Sequence, residues 1–410
     1  MIKQWCIIMG LVVWGTEAFT VPDRAGADME KSVAEIGALL DARSVIFQPE
    51  TLASNVQEAI VRAIDPGASI LTPAQAERVQ EEQQGVFYGI GLKLTLKDKQ
   101  PKIMTVATNG PAAKAGVPAG VLIETIDDQS TTGLSLEQVV NRLRGRKNDS
   151  VVLTVRSEDQ DAKAQTFQVT RAMMHMPVTG TMEFWPQQIG YIKINGLYEG
   201  SGSQVAAQLH AWSQTNGVGI ILDLRDANGI NLDTVAEIAR LFSHSTPTFF
   251  TIQDGFGKTL KTYAAKNNTP FDLPVMILVN QDTRGAAELM AAVLQDCQGV
   301  MIIGVPTRGD DRLREPIALA NGKVLMIAVK RIDIGPDSYN GSGVQPDVVI
   351  SPVQEPVKVQ EAADENGLFS KFSEQDKQNQ ALIARIGNDI ILRRATDILL
   401  GLKALDIHTR

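Results

Sequence analysis

Residues 280–311 read NQDTRGAAELMAAVLQDCQGVMIIGVPTRGDD, and this stretch decides the fold. The apolar run Leu273–Val279 just before it is typical of a buried strand. Ala286–Leu294 carries apolar residues at helical spacing, and Val300–Ile303 predicts a second buried strand. A strand, a tight elbow, a helix and a further strand place the elbow at the strand ends, where α/β proteins commonly build catalytic sites.

The sequence motifs of this stretch resemble those of the C-terminal processing (tail-specific) serine peptidases. In that family the elbow reads roughly N-x-x-S-A-S-A-S-E, and a later loop reads G-x-x-T-F-G-K-G. The residues that fall on these two motifs without a gap are Asn280, Thr283, Ala286, Glu288, Gly304, Thr307 and Gly309. The resemblance implies an α/β and α+β multidomain protein with a helical N-terminal region, a PDZ domain, a ClpP/crotonase-like β/α peptidase core and a C-terminal helix.

The catalytic positions of the family carry other residue types in this chain. Gly285 stands at the nucleophile position, Asp310 at the position of the general-base lysine, and Arg314 at that of a supporting glutamine. A serine–lysine peptidase needs a hydroxyl within hydrogen-bond reach of an uncharged lysine, and glycine has no hydroxyl. We therefore expect a pseudoenzyme with no intact catalytic residue.

The loop that helps to form the oxyanion hole in the family also differs. The family reads D-L-R-x-N-P-G-G, whereas this chain reads DLRDANGI over residues 223–230. Gly229 keeps its place and, with Ala286, is the candidate for an oxyanion-like pair of N–H groups. The β-branched Ile230 replaces a glycine, which restricts the backbone and crowds an incoming carbonyl group.

A second set of motifs, from Phe87 to about Arg171, resembles a PDZ domain. The candidate peptide-binding residues are Tyr88, Gly89, Ile90, Gly91, Leu92, Leu136 and Val140. The glycines between Tyr88 and Leu92 allow successive backbone N–H groups to converge on a terminal carboxylate. Ser135 is a good N-cap for the helix that begins at Leu136, whose Val139 and Leu143 are expected to face the core. The alternative is a PDZ fold whose groove is filled by its own chain.

Composition limits the partners that this chain can have. It has 410 residues, of which 44% are hydrophobic and 21% charged, with a net charge of -8. An acidic protein without a long Lys/Arg run is unsuited to nucleic acid and to anionic membranes, and short basic clusters such as Arg142–Lys147 are expected to be solvated. The histidines, His175, His210, His244 and His408, are too scattered for a zinc site. We predict no metal and no cofactor.

The first 18 residues predict export. Lys3 supplies the positive start, Trp5–Trp14 is the apolar region, and Ala18 ends a plausible cleavage site. An uncleaved N-terminal anchor is the alternative. Cys297 is then the single cysteine of the mature chain, so no intramolecular disulfide can form. We predict a bacterial periplasmic or extracytoplasmic location.

These readings divide the chain into five regions. They are a signal peptide at 1–18, a helical N-terminal region at 19–84, a PDZ domain at 85–172, a peptidase-like core at 173–350, and a linker with a C-terminal helix at 351–410. Helices are expected at 28–41 and 55–64, and a strong helical stripe between Leu382 and Leu402 is expected to pack on the core, with an oligomer contact as the alternative.

Three functions remain open. The first is an exported, non-catalytic homologue that binds peptide or protein C-termini through its PDZ domain, as an adaptor or regulator of proteolysis, with an active protease or its regulator as a further partner. The second is an active serine-type endopeptidase with relocated residues, for which Thr283, Ser338 and Ser342 supply hydroxyls. The third is a carrier of a small apolar ligand in the space that glycine leaves at 285, which is fold-level analogy.

Overall fold

A computed structural model describes residues 31–32, 35–36, 38, 49–157, 163–176, 179–215, 217–242, 248–265, 271–336, 338–350 and 374–405. The predicted signal peptide, most of the predicted helix 28–41, the linker after residue 350, and His244 and His408 lie outside these residues. The described chain divides into two compact units. One comprises the residues up to Ala76 with Leu313–Val329, and the other comprises Glu77–Arg312 with the residues from Lys330 onward.

The first unit is held together by a buried carboxylate. Helix α1 (Pro49–Ile64) begins before the predicted residue 55 and leads through a turn to strand β1 (Ser69–Leu71), after which helix α2 (Pro73–Gln83) begins. Strand β1 pairs antiparallel with residues 324–326. Asp65 accepts two hydrogen bonds from the Arg314 guanidinium, at 2.7 and 2.8 Å, and one from the backbone N–H of Ala328.

The described residues of the PDZ region form eight strands and two helices. They are β2 (Val86–Gly89), β3 (Leu92–Lys97), β4 (Gln100–Val106), α3 (Pro111–Lys114), β5 (Leu122–Ile126), β6 (Gln129–Ser130), α4 (Leu136–Leu143), β7 (Ser150–Arg156), β8 (Gln165–Thr170) and β9 (Ala172–His175). Strands β3-β4-β5-β7-β8 form one sheet in that order, β6 pairs with β5, and β2 pairs with β9. Strand β3 therefore lies at an edge of its sheet.

The predicted capping of helix α4 is confirmed. The Ser135 hydroxyl accepts a hydrogen bond from the Gln138 N–H at 3.2 Å, and the Gln138 side chain accepts one from the Ser135 N–H at 2.9 Å. Such a reciprocal pair satisfies two donors at the start of a helix. Val139 and Leu143 are buried as expected and pack with Ile103 and Ile123 in the core of this region.

The peptidase-like region alternates strands and helices. Its elements are β10 (Thr179–Phe184), β11 (Ile189–Ile194), β12 (Gly196–Leu197), α5 (Ser201–Ser213), β13 (Gly219–Asp223), β14 (Asn228–Gly229), α6 (Leu232–Arg240), β15 (Thr248–Asp254), β16 (Thr259–Ala264), β17 (Val275–Val279), α7 (Ala286–Gln295), β18 (Val300–Gly304), β19 (Arg312–Ala318), β20 (Val324–Asp333) and β21 (Val348–Val349). Helix α7 and strands β17 and β18 confirm the elements predicted around the elbow.

A six-stranded sheet in the order β10-β11-β13-β17-β18-β21 forms the centre of this region. Its pairs from β11 to β21 are parallel. The residues of β13 and β17 are fully buried, as is typical of parallel strands covered on both faces. The parallel arrangement brings the carboxyl ends of β13, β17 and β18 to one edge, where the elbow begins.

The C-terminal stripe forms two helices, α8 (Glu374–Asn388) and α9 (Ile390–Ala404), where a single helix was expected. Asp389 has an extended backbone, and its carboxylate accepts a hydrogen bond from the Leu392 N–H at 3.0 Å. Aspartate therefore ends one helix and caps the next. Leu392, Ala395 and Leu399 pack against the sheet, which confirms that the stripe covers the core. None of the helices in the described residues is long and apolar enough to cross a bilayer.

The packing of α9 yields a stability prediction. Leu399 is fully buried against β13, where a Cβ added to Gly219 would collide with it. We expect Leu399→Ala to lower the free energy of unfolding by about 2–5 kcal/mol, because it leaves a cavity. Ile383→Ala on the exposed face of α8 (59% exposed) is the control and should change it by less than about 0.5 kcal/mol. Equal effects in urea unfolding would contradict this packing.

Candidate functional site

The elbow, residues 280–285, joins β17 to α7. Its turn is closed by hydrogen bonds between Asn280 and Thr283: the Thr283 N–H donates to the Asn280 carbonyl group, and the Asn280 N–H donates to the Thr283 hydroxyl, both at 3.0 Å. Gly285 follows with φ 61° and ψ −131°, and Ala286 begins the helix. These angles lie outside the regions that other residues favour, which is typical of a sharp strand-to-helix elbow.

The first part of the 224–231 loop, the loop that contains Gly229, is hydrogen-bonded to this elbow. The Arg284 N–H donates to the Ala227 carbonyl group at 3.1 Å, and the Thr283 hydroxyl donates to the Leu224 carbonyl group at 2.9 Å. The Asn280 side chain donates to the Asp226 carboxylate at 2.8 Å and accepts from the Asp226 N–H at 3.0 Å. Four hydrogen bonds therefore join the two segments at the strand ends.

Gly285 has no room for a side chain. A Cβ added to it would lie 2.5 Å from the Gly229 carbonyl oxygen, far inside van der Waals contact. Gly229 itself has φ 125° and approaches the Leu197 backbone too closely for a Cβ. The expected free space at 285 is thus occupied by the backbone of the 224–231 loop. Ile230, which follows in that loop, is 47% exposed.

Glu288 fastens the 305–311 loop to the first turn of α7. It is fully buried and accepts hydrogen bonds from the Thr307 hydroxyl, from the Gly309 N–H at 2.5 Å and from the Asp310 N–H at 3.3 Å. The start of a helix favours a negative charge. Burial nevertheless raises the pKa of Glu288, and the hydrogen bonds offset this only in part. The Asp310 backbone is thus hydrogen-bonded directly to a buried carboxylate.

Two more buried polar groups lie near Glu288 and Asp310. Asp311 and Tyr339 are each 3% exposed, and neither the Asp311 Oδ1 nor the Tyr339 hydroxyl has a hydrogen-bond partner among the described residues. Burial and the charge of Asp310 raise the pKa of Asp311. Burial, followed by the charges of Glu288, Asp311 and Asp310, raises the pKa of Tyr339. Glu288, Asp310 and Asp311 therefore form a group of three neighbouring carboxylates, which the charges of Arg312 and Arg331 offset in part.

The hydroxyls considered for a relocated nucleophile are placed differently. Thr283 is fully buried, and its hydroxyl accepts a hydrogen bond from the Asn280 N–H and donates one to the Leu224 carbonyl group. Ser338 is exposed and accepts from the Asn340 N–H at 3.3 Å, while Ser342 donates to the Gly343 carbonyl group at 3.4 Å. Arg314 is committed to Asp65. Within the described ranges, no cluster of His, Cys, Asp and Glu could hold a metal ion.

The candidate peptide groove lies along β3 and α4. In the part of the chain that the structure describes, β3 pairs with β4 alone, so its outer edge is unpaired. Leu136 and Val140 are half-buried, as are Tyr88, Gly91 and Leu92, whereas Gly89 and Ile90 are buried. The Ile90 and Gly91 carbonyl groups accept bonds from Ala112 and Ala107, but none of the hydrogen bonds found in the described chain uses the N–H of Ile90 or Gly91.

Sequence reasoning missed several residues of these sites. Asp311, Tyr339 and Glu82 carry no local signal, because their environment is made by residues distant in the sequence. The expectation that the cluster Arg142–Lys147 is simply solvated is wrong for Arg144. Its guanidinium stacks over the Phe87 ring, 4.8 Å from the centroid, and pairs with Glu82.

The comparison with known families agrees with both regions. Residues 188–350 match the model of peptidase family S41, and residues 102–157 match the model of the PDZ domain. The chain therefore contains an S41 peptidase domain and a PDZ domain, and the C-terminal processing proteases are its homologues.

Individual relatives show the extent of this similarity. The carboxyl-terminal-processing protease of Synechocystis sp. is 29% identical over 303 residues, covering 72% of this chain and 70% of that protein. The protein of the same name from Picosynechococcus sp. is 28% identical over 340 residues, covering 82% and 78%. Among solved structures, the PDZ domain of a carboxy-terminal protease from Vibrio cholerae, in complex with peptide, is 27% identical, with a TM-score of 0.21, and covers 22% of this chain and 99% of that one.

The contact at Gly285 predicts that any side chain at this position lowers the free energy of unfolding. We expect Gly285→Ala to lower the free energy of unfolding by about 2 kcal/mol or more, because it combines a positive φ with a clash. Gly257, with φ 81° and nothing within 4 Å of its added Cβ, is the matched control. Gly257→Ala should cost about 1 kcal/mol, from backbone conformation alone. Indistinguishable losses in chemical unfolding would refute the contact.

The raised pKa of Asp311 predicts a pH-dependent effect. The native state holds the Asp311 proton more tightly than the unfolded chain, so the stability contributed by this proton is complete below the ordinary carboxyl pKa of about 4. It is lost as the pH rises through the raised value. Asp311→Asn, which carries no charge, should therefore be more stable than the natural chain at neutral pH by about 1 kcal/mol, and this advantage should shrink toward pH 4.

Urea unfolding of both proteins across this pH range measures the difference. The exposed Asp282, whose side chain takes no part in the buried cluster, gives the control variant Asp282→Asn, which should show no such trend. An advantage of Asp311→Asn that is constant with pH, or a loss of stability at neutral pH, would contradict the assignment of a raised pKa.

Proposed function

We propose that this chain is an exported, non-catalytic homologue of the C-terminal processing serine peptidases. Its PDZ domain binds the C-termini of peptides or proteins, and the chain acts as an adaptor or regulator of proteolysis. An active protease or a regulator of one is the further partner. Export is supported by the sequence pattern of residues 1–18.

The observation that carries the proposal is the state of residue 285. Acyl transfer requires a nucleophilic side chain at the elbow, and glycine supplies none. The Gly229 carbonyl oxygen takes the place that a Cβ would need. The position expected for the lysine holds Asp310, next to the buried Glu288 and Asp311. No lysine is then available there to accept the proton of a nucleophile, and the carboxylates would repel a developing oxyanion.

Peptide binding is supported by the groove of the PDZ domain. An extended peptide can add to the unpaired edge of β3, where main-chain hydrogen bonds supply affinity. The half-buried Leu136 and Val140 then contact its apolar side chains. No hydrogen bond found among the described residues uses the N–H groups of Ile90 and Gly91, and these donors suit a terminal carboxylate. These features favour an unstructured polypeptide that ends in an apolar residue.

An active serine-type endopeptidase is the second candidate, since the relatives are named as proteases. It would need a relocated nucleophile. The Thr283 hydroxyl donates its proton to the Leu224 carbonyl group, and the exposed Ser338 and Ser342 have no lysine among their hydrogen-bond partners in the described chain. A carrier of a small apolar ligand is disfavoured because the space next to Gly285 is filled by the Gly229 carbonyl group.

Digestion and binding assays separate these functions. The purified chain is incubated with an unfolded protein and with short peptides that end in an apolar residue, and mass spectrometry follows cleavage. We expect no cleavage, and none from Gly285→Ser combined with Asp310→Lys, because the 224–231 loop blocks the added side chain. Cleavage by the natural chain that depends on Thr283, Ser338 or Ser342 would overturn the proposal.

Fluorescence anisotropy measures binding of the same peptides. Gly91→Ala introduces a Cβ at φ 78°, within 3.2 Å of Ala107, and should weaken binding about tenfold or more because the N–H groups of the loop are displaced. Gly120 has φ 82° and nothing within 4 Å, so Gly120→Ala is the matched control and should bind as the natural chain does. Absence of binding by the natural chain would remove the adaptor role.

A further inference from the structure

Met174, on strand β9, contacts the loop that carries the candidate carboxylate-binding N–H groups. A Cβ added to Gly91 in this loop would lie 3.3 Å from the Met174 Cε, so the methyl group of the methionine packs against the glycine. Strand β2, which leads into the loop, pairs with β9 and places Phe87 opposite Met174. The thioether of Met174 therefore lies beside the loop.

The neighbouring methionine lies on the other side of the strand. Successive side chains of a strand project from opposite faces, so Met173 uses the face of β9 that Met174 does not. Met173 is 53% exposed, whereas Met174 is half-buried. Met174 is thus the methionine of this pair that contacts the loop, and it is still open in part to small solutes.

Oxidation of Met174 places a polar group at this contact. The thioether sulfur attacks one oxygen of hydrogen peroxide with a lone pair, so that an S–O bond forms while the O–O bond breaks. The hydroxide that leaves takes the proton of the new S–OH group and becomes water. The sulfur is oxidised by two electrons and the peroxide is reduced. The product is a sulfoxide, which is polar and which methionine sulfoxide reductases convert back to the thioether.

The cysteine of the described chain is protected from the same oxidant. Cys297 is buried, and burial, together with the charge of Asp296, raises the pKa of its thiol to about 11. Peroxide reacts with the thiolate, and little thiolate exists near neutral pH at such a pKa. A change in peptide binding after mild oxidation therefore reports on methionine and not on Cys297.

We propose that Met174 is an oxidation site that regulates the PDZ domain: its sulfoxide weakens the binding of polypeptide C-termini, and reduction of the sulfoxide restores it. This inference rests on the peptide binding proposed above. It also suits the proposed location outside the cytoplasm, where thiol-based reduction is weaker.

The loop offers donors that a sulfoxide can use. No hydrogen bond found among the described residues uses the N–H groups of Ile90 and Gly91. The sulfoxide oxygen is bonded to the sulfur whose methyl group touches Gly91, and it accepts hydrogen bonds. It therefore competes with the terminal carboxylate of the ligand for these donors. The added oxygen also needs room at a contact that is already at van der Waals distance.

The test measures peptide binding before and after oxidation of the full chain. The probe is a fluorescent peptide that ends in valine and contains no methionine, cysteine or tryptophan. The chain is treated with dilute hydrogen peroxide, the peroxide is removed, and peptide mapping by mass spectrometry measures the sulfoxide at each methionine. Fluorescence anisotropy should show about tenfold weaker binding, the effect of losing one hydrogen bond to a charged group. Methionine sulfoxide reductases with dithiothreitol should restore the affinity.

Variants assign the effect to one methionine. Met174→Leu keeps an apolar side chain of similar size that peroxide does not oxidise, so its affinity should be the same before and after treatment. Met174→Gln carries an amide oxygen in place of the sulfoxide and should bind weakly without any oxidant. Met173→Leu and Met182→Leu are the controls, because these methionines are exposed and Met182 belongs to the peptidase-like region. Both should lose affinity on oxidation as the natural chain does.

The outcomes separate this inference from the proposed function. Circular dichroism checks that each variant is folded. An untreated natural chain that does not bind the peptide refutes the proposed function itself. A chain that binds equally well once Met174 is mapped as sulfoxide refutes only the regulatory role of Met174. The same conclusion follows if Met174 stays unoxidised while Met173 is oxidised, or if Met174→Leu still loses affinity.

Discussion

The hydrogen-bonded contact between the elbow and the 224–231 loop is the constraint on which the rest of the site depends. Asn280 and Asp226 exchange two hydrogen bonds, and the Arg284 N–H binds the Ala227 carbonyl group, so the loop cannot move away from the elbow without breaking all three. This position brings the Gly229 carbonyl oxygen onto the space beside Gly285. A residue larger than glycine at 285 is therefore incompatible with this course of the loop.

A network of buried charges fixes the start of the same loop. Asp223, at the end of β13, accepts hydrogen bonds from Tyr191, from Lys193 and from both Nε and Nη2 of Arg225. Burial alone would raise the pKa of Asp223, but the hydrogen bonds and charge of Arg225 outweigh it and lower the pKa. Arg225 also pairs with Asp389 at 2.7 Å, the residue that caps α9. The C-terminal helices thus support the strand from which the loop departs.

Electrostatics distinguishes the two sites of this chain. The peptidase-like site collects Glu288, Asp310 and Asp311 around a buried tyrosine, and carboxylates there are costly because burial removes their hydration. Arg312 and Arg331 lie near enough to lower the pKa of Asp311 in part, so the carboxylates of the peptidase-like site are partly balanced by these two cations. In the PDZ region, by contrast, the Arg144 guanidinium stacks over the Phe87 ring and pairs with Glu82.

The sequence by itself determined the features that depend on neighbours along the chain. The buried strands β17 and β18, the helix α7 and the Ser135 cap follow from periodicity and capping within a few residues. The resemblance to the peptidase motifs led to the expectation that Gly285 and Asp310 stand at catalytic positions. Only the tertiary structure decided that the Gly229 carbonyl fills the space at Gly285 and that Glu82 pairs with Arg144. The same holds for the burial of Asp311 Oδ1 and the Tyr339 hydroxyl without a hydrogen-bond partner among the described residues. Each of these joins segments far apart in the chain, and such contacts are fixed by how sheets, helices and loops pack, which local propensity does not encode.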